Sequence, residues 1–469
     1  MLENRSFDHM LGFLKSPAYP IEGLNGDETN QPANDGDPPV RVSRDAHSVH
    51  DLNPDPGHDF LDVNVQIFGN KDGVVNGPTM QGFVRDYALV SNHAAQGANI
   101  MKCFKTATLP VLSTLAQEYA VCDHWYSSVP GPTIPNRLFA HAAQSAGSVV
   151  QDAIEAPAFV KTIFEVMDDP ANPDSFRIYT PGASILMANV YLARHQAGFH
   201  PYSEFRDDCL SGDLPAYTFI EPTYDDDVAH GTFANSQHPD FPVNAGEELI
   251  ADVYNALSQG PQWETTLFLI VYDEHGGIFD HVLPPALVPN PAQGAVKPST
   301  DPPFAFDRLG IRVPAVFVSP FLKKGTILTH QFDHCSIVAT VRKLFCLDKT
   351  PFNWREAQAA TFDDILNLPA NQPRDPIVLP PPVVAAPPPE AVTAAAFVTA
   401  SAAPRVPPPV RKPTDLAVAM ARSMEYTMKR LRKKRRMSTA QIYSAQDAAE
   451  FLHDAAHKLG GIQPAGGQK

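Results

Sequence analysis

Thr266-Leu267-Phe268-Leu269-Ile270-Val271-Tyr272-Asp273-Glu274-His275-Gly276-Gly277 joins an apolar run to two adjacent acids and two glycines. The run from Leu267 to Val271 reads as a strand covered on both faces. In open α/β sheets, chemistry gathers beyond the carboxyl ends of such strands. Two carboxylates placed there repel each other unless a cation or a proton separates them. The two glycines let backbone approach a ligand closely. A second acidic group, Glu3-Asn4-Arg5-Ser6-Phe7-Asp8-His9, opens the chain. Together the two groups suggest a hard-metal site that handles phosphate.

Around this stretch the pattern is that of a mixed α/β body over residues 1–365. Helices are expected at Val111–Tyr119, Gly246–Ser258 and His334–Phe345, with Leu249, Ile250, Val253 and Leu257 on one face of the second. Strands are expected at Ala216–Ile220, Leu267–Tyr272 and Ala315–Ser319. Their alternation with helices predicts a mostly parallel sheet flanked by helices. From residue 366 to 413 the chain turns rich in Pro and Ala and reads as a semi-extended, poorly packed linker. Residues 414–469 read as a short helical tail. Its first helix, Thr414–Arg436, becomes strongly basic, since seven of the eight residues Lys429–Arg436 are Lys or Arg. Ser438-Thr439-Ala440-Gln441 resembles a capping box opening a last helix.

The net charge of −16 disfavours nucleic acid as a partner of the catalytic body. No apolar run reaches the ~18–20 residues of a bilayer span, and no basic-then-apolar leader opens the sequence. The five cysteines include no C-x-x-C pair, which argues against a cysteine zinc site.

Four groups of residues offer chemistry. Asp273-Glu274 supplies oxygen ligands for a divalent cation, or else a strand-end cap with an exposed Glu. Glu3-Asn4 suits the same hard cation, because Asn ligates through its amide oxygen. Thr133, in Pro130-Gly131-Pro132-Thr133-Ile134-Pro135-Asn136-Arg137, is a conformationally restricted hydroxyl suited to nucleophilic attack; Arg137 beside it can donate to a phosphoryl group. His58 and His238 can donate to phosphate or act as a general acid. Taken singly, each has a plainer reading as a turn, a cap or a surface polar group.

In order, these motifs resemble the phosphoesterase family of bacterial non-haemolytic phospholipases C and acid phosphatase A, over residues 1 to about 350. Gly310-Ile311-Arg312-Val313-Pro314-Ala315 and Phe332-Asp333-His334-Cys335-Ser336-Ile337 are further family-like segments. The resemblance implies an alkaline-phosphatase-like α/β fold. It implies one divalent metal held by Glu3, Asn4, Asp273, Glu274 and Thr133, with Ca, Mg, Mn and Fe all suited to the oxygen-rich set. Thr133 would be the nucleophile, at a position that is Ser in the phosphatase branch, and His58, His238 and Arg137 would serve the phosphate and the leaving group. The phosphatase branch also carries an adjacent His pair that has no match here; His195 and His200 are poor substitutes. The expected activity is metal-dependent, phospholipase C-type cleavage of phospholipids through a phosphothreonine. The alternatives are an acid phosphatase-like phosphomonoesterase, or an impaired relative acting as a lipid-surface binding module. Lys429–Arg436 would attract an anionic membrane surface at ~1 kcal/mol per basic residue, or bind nucleic acid, or form a solvated basic helix docked on the acidic body. Members usually carry an apolar strand ahead of Glu-Asn-Arg-Ser-Phe, of which only Met1-Leu2 are present. If the sequence begins inside the natural chain, that strand and an export leader precede it, and the resemblance then suggests a periplasmic or secreted protein; otherwise the compartment is unassigned.

Overall fold

The computed structural model describes residues 1–46, 52–73, 77–152, 156–168, 175–227, 233–291, 299–300, 302–383, 413–431, 439–442 and 444–460. The sheets that carry the site are built from β1 (Ala120–Cys122), β2 (Phe176–Thr180), β3 (Phe199–Pro201), β4 (Tyr217–Ile220), β5 (Phe268–Val271), β6 (Ala315–Val318) and β7 (Thr326–Leu328). The helices that matter are α1 (Phe7–Leu11), α2 (Phe60–Phe68), α3 (Phe83–Val90), α4 (Pro110–Glu118), α5 (Thr133–Ala142), α6 (Val243–Gln259), α7 (Cys335–Phe345), α8 (Asp415–Arg430) and α9 (Ala445–Gly460). The expected strands correspond to β4, β5 and β6, and the expected helices to α4, α6 and α7.

Three of the five strand pairs in the two sheets are parallel, in line with the expected, mostly parallel α/β arrangement, and β6 is the reversed strand. One sheet has the order β7-β1-β6-β5, with β6 antiparallel to both neighbours and β7 parallel to β1. The chain between β5 and β6 holds no helix among its described residues, so β6 returns beside β5 without the crossover that a parallel pair requires. A second sheet, β3-β2-β4, is wholly parallel. Met1 and Leu2 lie between the two sheets: the Met1 amine donates to Ile220 O at 3.2 Å, and Leu2 N–H donates to Val271 O at 2.9 Å. The second edge of β5 thus meets only this dipeptide among the described residues. Accordingly Phe268 and Leu269 are half-buried while Ile270 and Val271 are buried, so β5 is not covered on both faces along its length.

α6 buries Gly246, Glu247, Ile250, Val253, Tyr254 and Leu257, with Leu249 at the rim of that face. Glu247 is used as a cap: its carboxylate accepts from Val111 N–H at 2.6 Å and Leu112 N–H at 2.9 Å, at the start of α4. A negative charge there complements the helix dipole and satisfies two free donors.

The C-terminal expectations need two corrections. The start of the Pro-rich segment is held on the body, where Ile377 N–H donates to the Tyr254 hydroxyl at 2.8 Å and Arg374 donates to Leu322 O at 3.0 Å; residues 384–412 lie outside the described residues. α8 is an apolar helix of the main core, burying Leu416, Met420, Met424 and Met428, rather than a solvated basic one. Of the basic run, Lys429 pairs with Glu425 and Arg430 stacks on Phe159, and 432–436 lie outside the described residues. α9 is capped by Ser444 with Asp447, whose N–H donates to Ser444 Oγ at 3.1 Å, while Thr439–Gln441 form a short turn of 3-10 helix and Ser438 lies outside the described residues.

Candidate active site

Side chains from three distant segments meet at the carboxyl end of β5. Glu3, Asn4, Thr133, Asp273 and Glu274 are each at most 1 % exposed. Thr133 is the first residue of α5, after Pro132 as N-cap, so the rigid loop expected there runs straight into a helix. A hydroxyl at a helix N-terminus sits where developing negative charge is favoured. Thr133 Oγ1 donates to Asn4 Oδ1 at 3.3 Å, and Asn4 N–H donates to Asp273 Oδ1 at 3.0 Å. Arg5 N–H donates to Glu274 O at 3.0 Å, and Asn4 adopts φ 54°, a left-handed geometry that Asn tolerates.

The loop after the acids is set by its glycines. Gly276 and Gly277 have φ of 66° and 69°; a Cβ on Gly276 would lie 2.1 Å from Asn4 O, and one on Gly277 would lie 2.3 Å from Gly57 O. No side chain fits there, so the loop touches both the Asn4 backbone and the segment that carries His58.

Arg137 does not reach out toward a substrate. Its Nε donates to Asp273 Oδ2 at 3.1 Å, its Nη1 to the Tyr224 hydroxyl at 2.8 Å, and its Nη2 lies 3.5 Å from Glu3 Oε1. It is a buried counter-charge wedged between two of the acids. The phosphate role suggested by its sequence position is geometrically occupied by protein partners.

His58 and His238 face each other with ring centroids 6.5 Å apart. His58 Nδ1 lies 2.8 Å from Pro56 O; a carbonyl only accepts, so Nδ1 carries the proton and Nε2 is left to other partners. Burial works against charge on His58, but Glu274, Asp55 and Asp59 outweigh it and raise its pKa to about 10. Burial, then His58 and Arg5, push His238 well below the usual histidine range. One histidine is thus charged and its neighbour neutral, a division suited to acid and acceptor roles. Glu274 is raised to about 8 by burial and by Asp273, against the pull of His58.

The donor set fits a hard cation. Glu274 Oε1 and Glu3 Oε2 are buried without a hydrogen-bond partner, and Glu3 Oε1 has the Arg137 guanidinium at 3.5 Å, a costly condition for carboxylates that a divalent ion relieves. Among the described residues, the acid and histidine groups whose ligand atoms all lie within 4.8 Å of one another are Asp8-Asp280-His281, Asp55-His238-Asp240 and His200-Glu204-Asp208; Glu3, Asp273 and Glu274 are not gathered that closely. The first is neutralised by Arg312, which donates to Asp280 at 2.9 Å and Asp8 at 3.0 Å.

Sequence reasoning gave no role to two residues that brace the site. Trp125 Nε1–H donates to His334 Nδ1 at 3.2 Å, so the ring proton lies on Nε2, which donates to Asp273 O at 2.5 Å. Arg5 donates from Nε to Gln237 O at 2.7 Å and from Nη2 to His238 O at 3.3 Å, fixing the His238 segment. Both lie in segments that look family-like, but nothing in their spacing says which partner each holds.

The Phosphoesterase family model matches residues 1–348. Among curated proteins, the chain is 39 % identical over 382 residues to non-specific phospholipase C6 of Arabidopsis thaliana, covering 78 % of this chain and 71 % of that protein. It is 41 % identical over 383 residues to non-specific phospholipase C1 of the same plant, covering 77 % and 69 %. It is 27 % identical over 423 residues to phospholipase C B of Mycobacterium tuberculosis, covering 79 % and 77 %. A solved protein of the alkaline phosphatase superfamily from Vibrio parahaemolyticus matches over 55 % of this chain and 65 % of its own, with a TM-score of 0.32 and 13 % identity, a likeness too slight to bear on the site. The family match over residues 1–348, with relatives 39 % and 41 % identical over most of their length, means that the chain belongs to the Phosphoesterase family and is a phosphoric ester hydrolase.

Proposed function

We propose that the protein cleaves phospholipids in the manner of a phospholipase C, with Thr133 as nucleophile. The observation that carries this reading is the meeting of the Thr133 hydroxyl, at the head of α5, with Asn4 and the buried acids Glu3, Asp273 and Glu274 beside the His58–His238 pair. Glu3, Asn4, Asp273, Glu274 and Thr133 would hold a divalent metal. Such an ion, when bound, lowers the pKa of a hydroxyl and offsets the charge of the acids and the phosphate. Arg137 is the fixed counter-charge that keeps Asp273 and Glu3 in place.

Thr133 Oγ1 forms a bond to phosphorus as the bond from phosphorus to the diacylglycerol oxygen breaks, and the threonine proton leaves to water. His58, charged near neutral pH and carrying Nδ1–H on Pro56 O, supplies the proton that the departing oxygen needs. His238 donates a ring N–H to a phosphoryl oxygen. Water then attacks the phosphothreonine, restoring the hydroxyl and releasing the phosphorylated head group. The names of the plant and mycobacterial relatives support the phospholipid substrate.

Hydrolysis of phosphatidylcholine vesicles and of p-nitrophenyl phosphate, measured side by side with and without a chelator, tests the reading. The expected result is chelator-sensitive release of diacylglycerol that exceeds phosphomonoester turnover and is lost in Thr133→Ala. Phosphomonoester cleavage alone would replace the phospholipase reading, and full diacylglycerol release by Thr133→Ala would remove the nucleophile.

A further inference from the structure

Gln66 lies on α2, two turns beyond His58, and is fully buried at 0 % exposure. Its carboxamide makes three hydrogen bonds: Nε2 lies 2.7 Å from Gly57 O and 2.8 Å from Asp86 Oδ2, and Oε1 lies 2.7 Å from His275 Nε2. The Gly57 carbonyl only accepts, so the atom facing it must be the amide nitrogen. The oxygen therefore faces His275, and His275 must carry its proton on Nε2. Its Nδ1 is then a bare acceptor, 3.4 Å from Glu274 Oε2.

The two ends of this bridge are adjacent in sequence to working groups. Gly57 precedes His58, and His275 follows Glu274. The same carbonyl of Gly57 is what a Cβ on Gly277 would strike at 2.3 Å, so the two loops are already in backbone contact where Gln66 joins them. Phe83, on α3, packs its ring edgewise against His275 at 6.3 Å, and Asp86 on the same helix anchors the amide from behind.

We propose that Gln66 is a positioning residue of the active site: through one carboxamide it locks the His58 loop to the Glu274–Gly277 loop and fixes the tautomer of His275. The proposal rests on the roles given above to His58 and Glu274. Loss of the carboxamide frees the His58 loop from the ligand loop without removing a group that touches substrate. The cost belongs in kcat and metal affinity rather than KM, at about 10- to 100-fold, as for other residues that orient metal ligands.

The test combines Gln66→Met, which keeps length and apolar volume, with histidine nitrogen-15 NMR of the full chain and metal titration by calorimetry. The wild-type protein should show His275 as the Nε2–H tautomer. Gln66→Met should lose that fixed tautomer, bind metal about 10-fold more weakly and drop kcat with KM little changed, at a melting temperature near wild type. An Nδ1–H tautomer in the wild-type protein would overturn the proposal without any variant, which covers the case where Gln66→Met fails to fold. So would a Gln66→Met protein with unchanged metal affinity and kcat, or with losses no larger than its unfolded fraction. The spectrum and the titration need no turnover, so they read Gln66 even if Thr133 proves not to be the nucleophile.

Discussion

At the scale of single residues, the site is a set of like charges held together by geometry that leaves little room for substitution. Gly277→Ala places a methyl 2.3 Å from Gly57 O at a φ of 69°. The conformational term alone costs ~1–2 kcal/mol, and relief of the clash must part the His58 loop from the ligand loop. We expect a lower melting temperature together with at least a tenfold loss of kcat, read by thermal melting and initial rates. The pH response of the metal-free protein follows from Glu274 and His58. Glu274 titrates at about 8 rather than its ordinary 4.5, so the folded state holds a proton that the unfolded state gives up, and stability falls as pH rises from 4.5 through 8. His58, raised to about 10, adds stability that is complete below 6.5 and is lost as pH climbs through 10. Both act with the same sign between 6.5 and 8. Glu274→Gln should therefore flatten the stability curve across pH 5–8 and stabilise metal-free protein at pH 8 by roughly 1–3 kcal/mol; denaturant melts at pH 5, 6.5 and 8 check this. The first group of acids and the threonine were legible in the sequence because their local context is unusual: two acids ending an apolar run, and a hydroxyl among prolines. Arg137 was legible as a site residue but its partners were not, since whether a guanidinium faces substrate or acids depends on Tyr224 and Glu3, distant in the chain.

At the scale of elements, helix starts carry much of the functional geometry. α5 begins at Thr133, the proposed nucleophile, and α4 begins on the carboxylate of Glu247. Glu247→Ala leaves the Val111 and Leu112 N–H groups buried without an acceptor, a loss of roughly 1–2 kcal/mol. A fall of a few degrees in melting temperature, with KM unchanged, is the expected outcome. Apolar periodicity placed α4, α6 and α7 and the strands β4, β5 and β6 to within a few residues at either end, because each buries a clear face. It could not give strand direction: β5 and β6 look alike as apolar runs, and the antiparallel return between them, helix-free among the described residues, leaves no mark on either run. The cap at Ser444 went unread in the sequence; there Asp447 accepts from both Ser444 N–H and Ser444 Oγ at 2.9 Å.

At the scale of the whole molecule, the basic run of the last helices had concealed an apolar face. α8 packs Met420, Met424 and Met428 into the same core as β5 and β6, and Thr414 at its start donates to Asp225 Oδ2 at 3.3 Å, next to the Tyr224 that holds Arg137. Composition signalled the charge, whereas the methionines at helical spacing were the better guide to where the helix goes. Met424→Lys buries an unpaired cation and should cost roughly 3–5 kcal/mol, seen as faster hydrogen exchange across α8 and α9. The account's central claim is that residues drawn from both ends of the catalytic body make Thr133 a covalent nucleophile. The direct measurement is rapid-quench digestion and mass spectrometry after mixing metal-loaded protein with phosphatidylcholine. The account predicts a phosphocholine adduct on the peptide that carries Thr133 and none in Thr133→Ala. An adduct on another residue, or turnover with no adduct at any quench time, would contradict it.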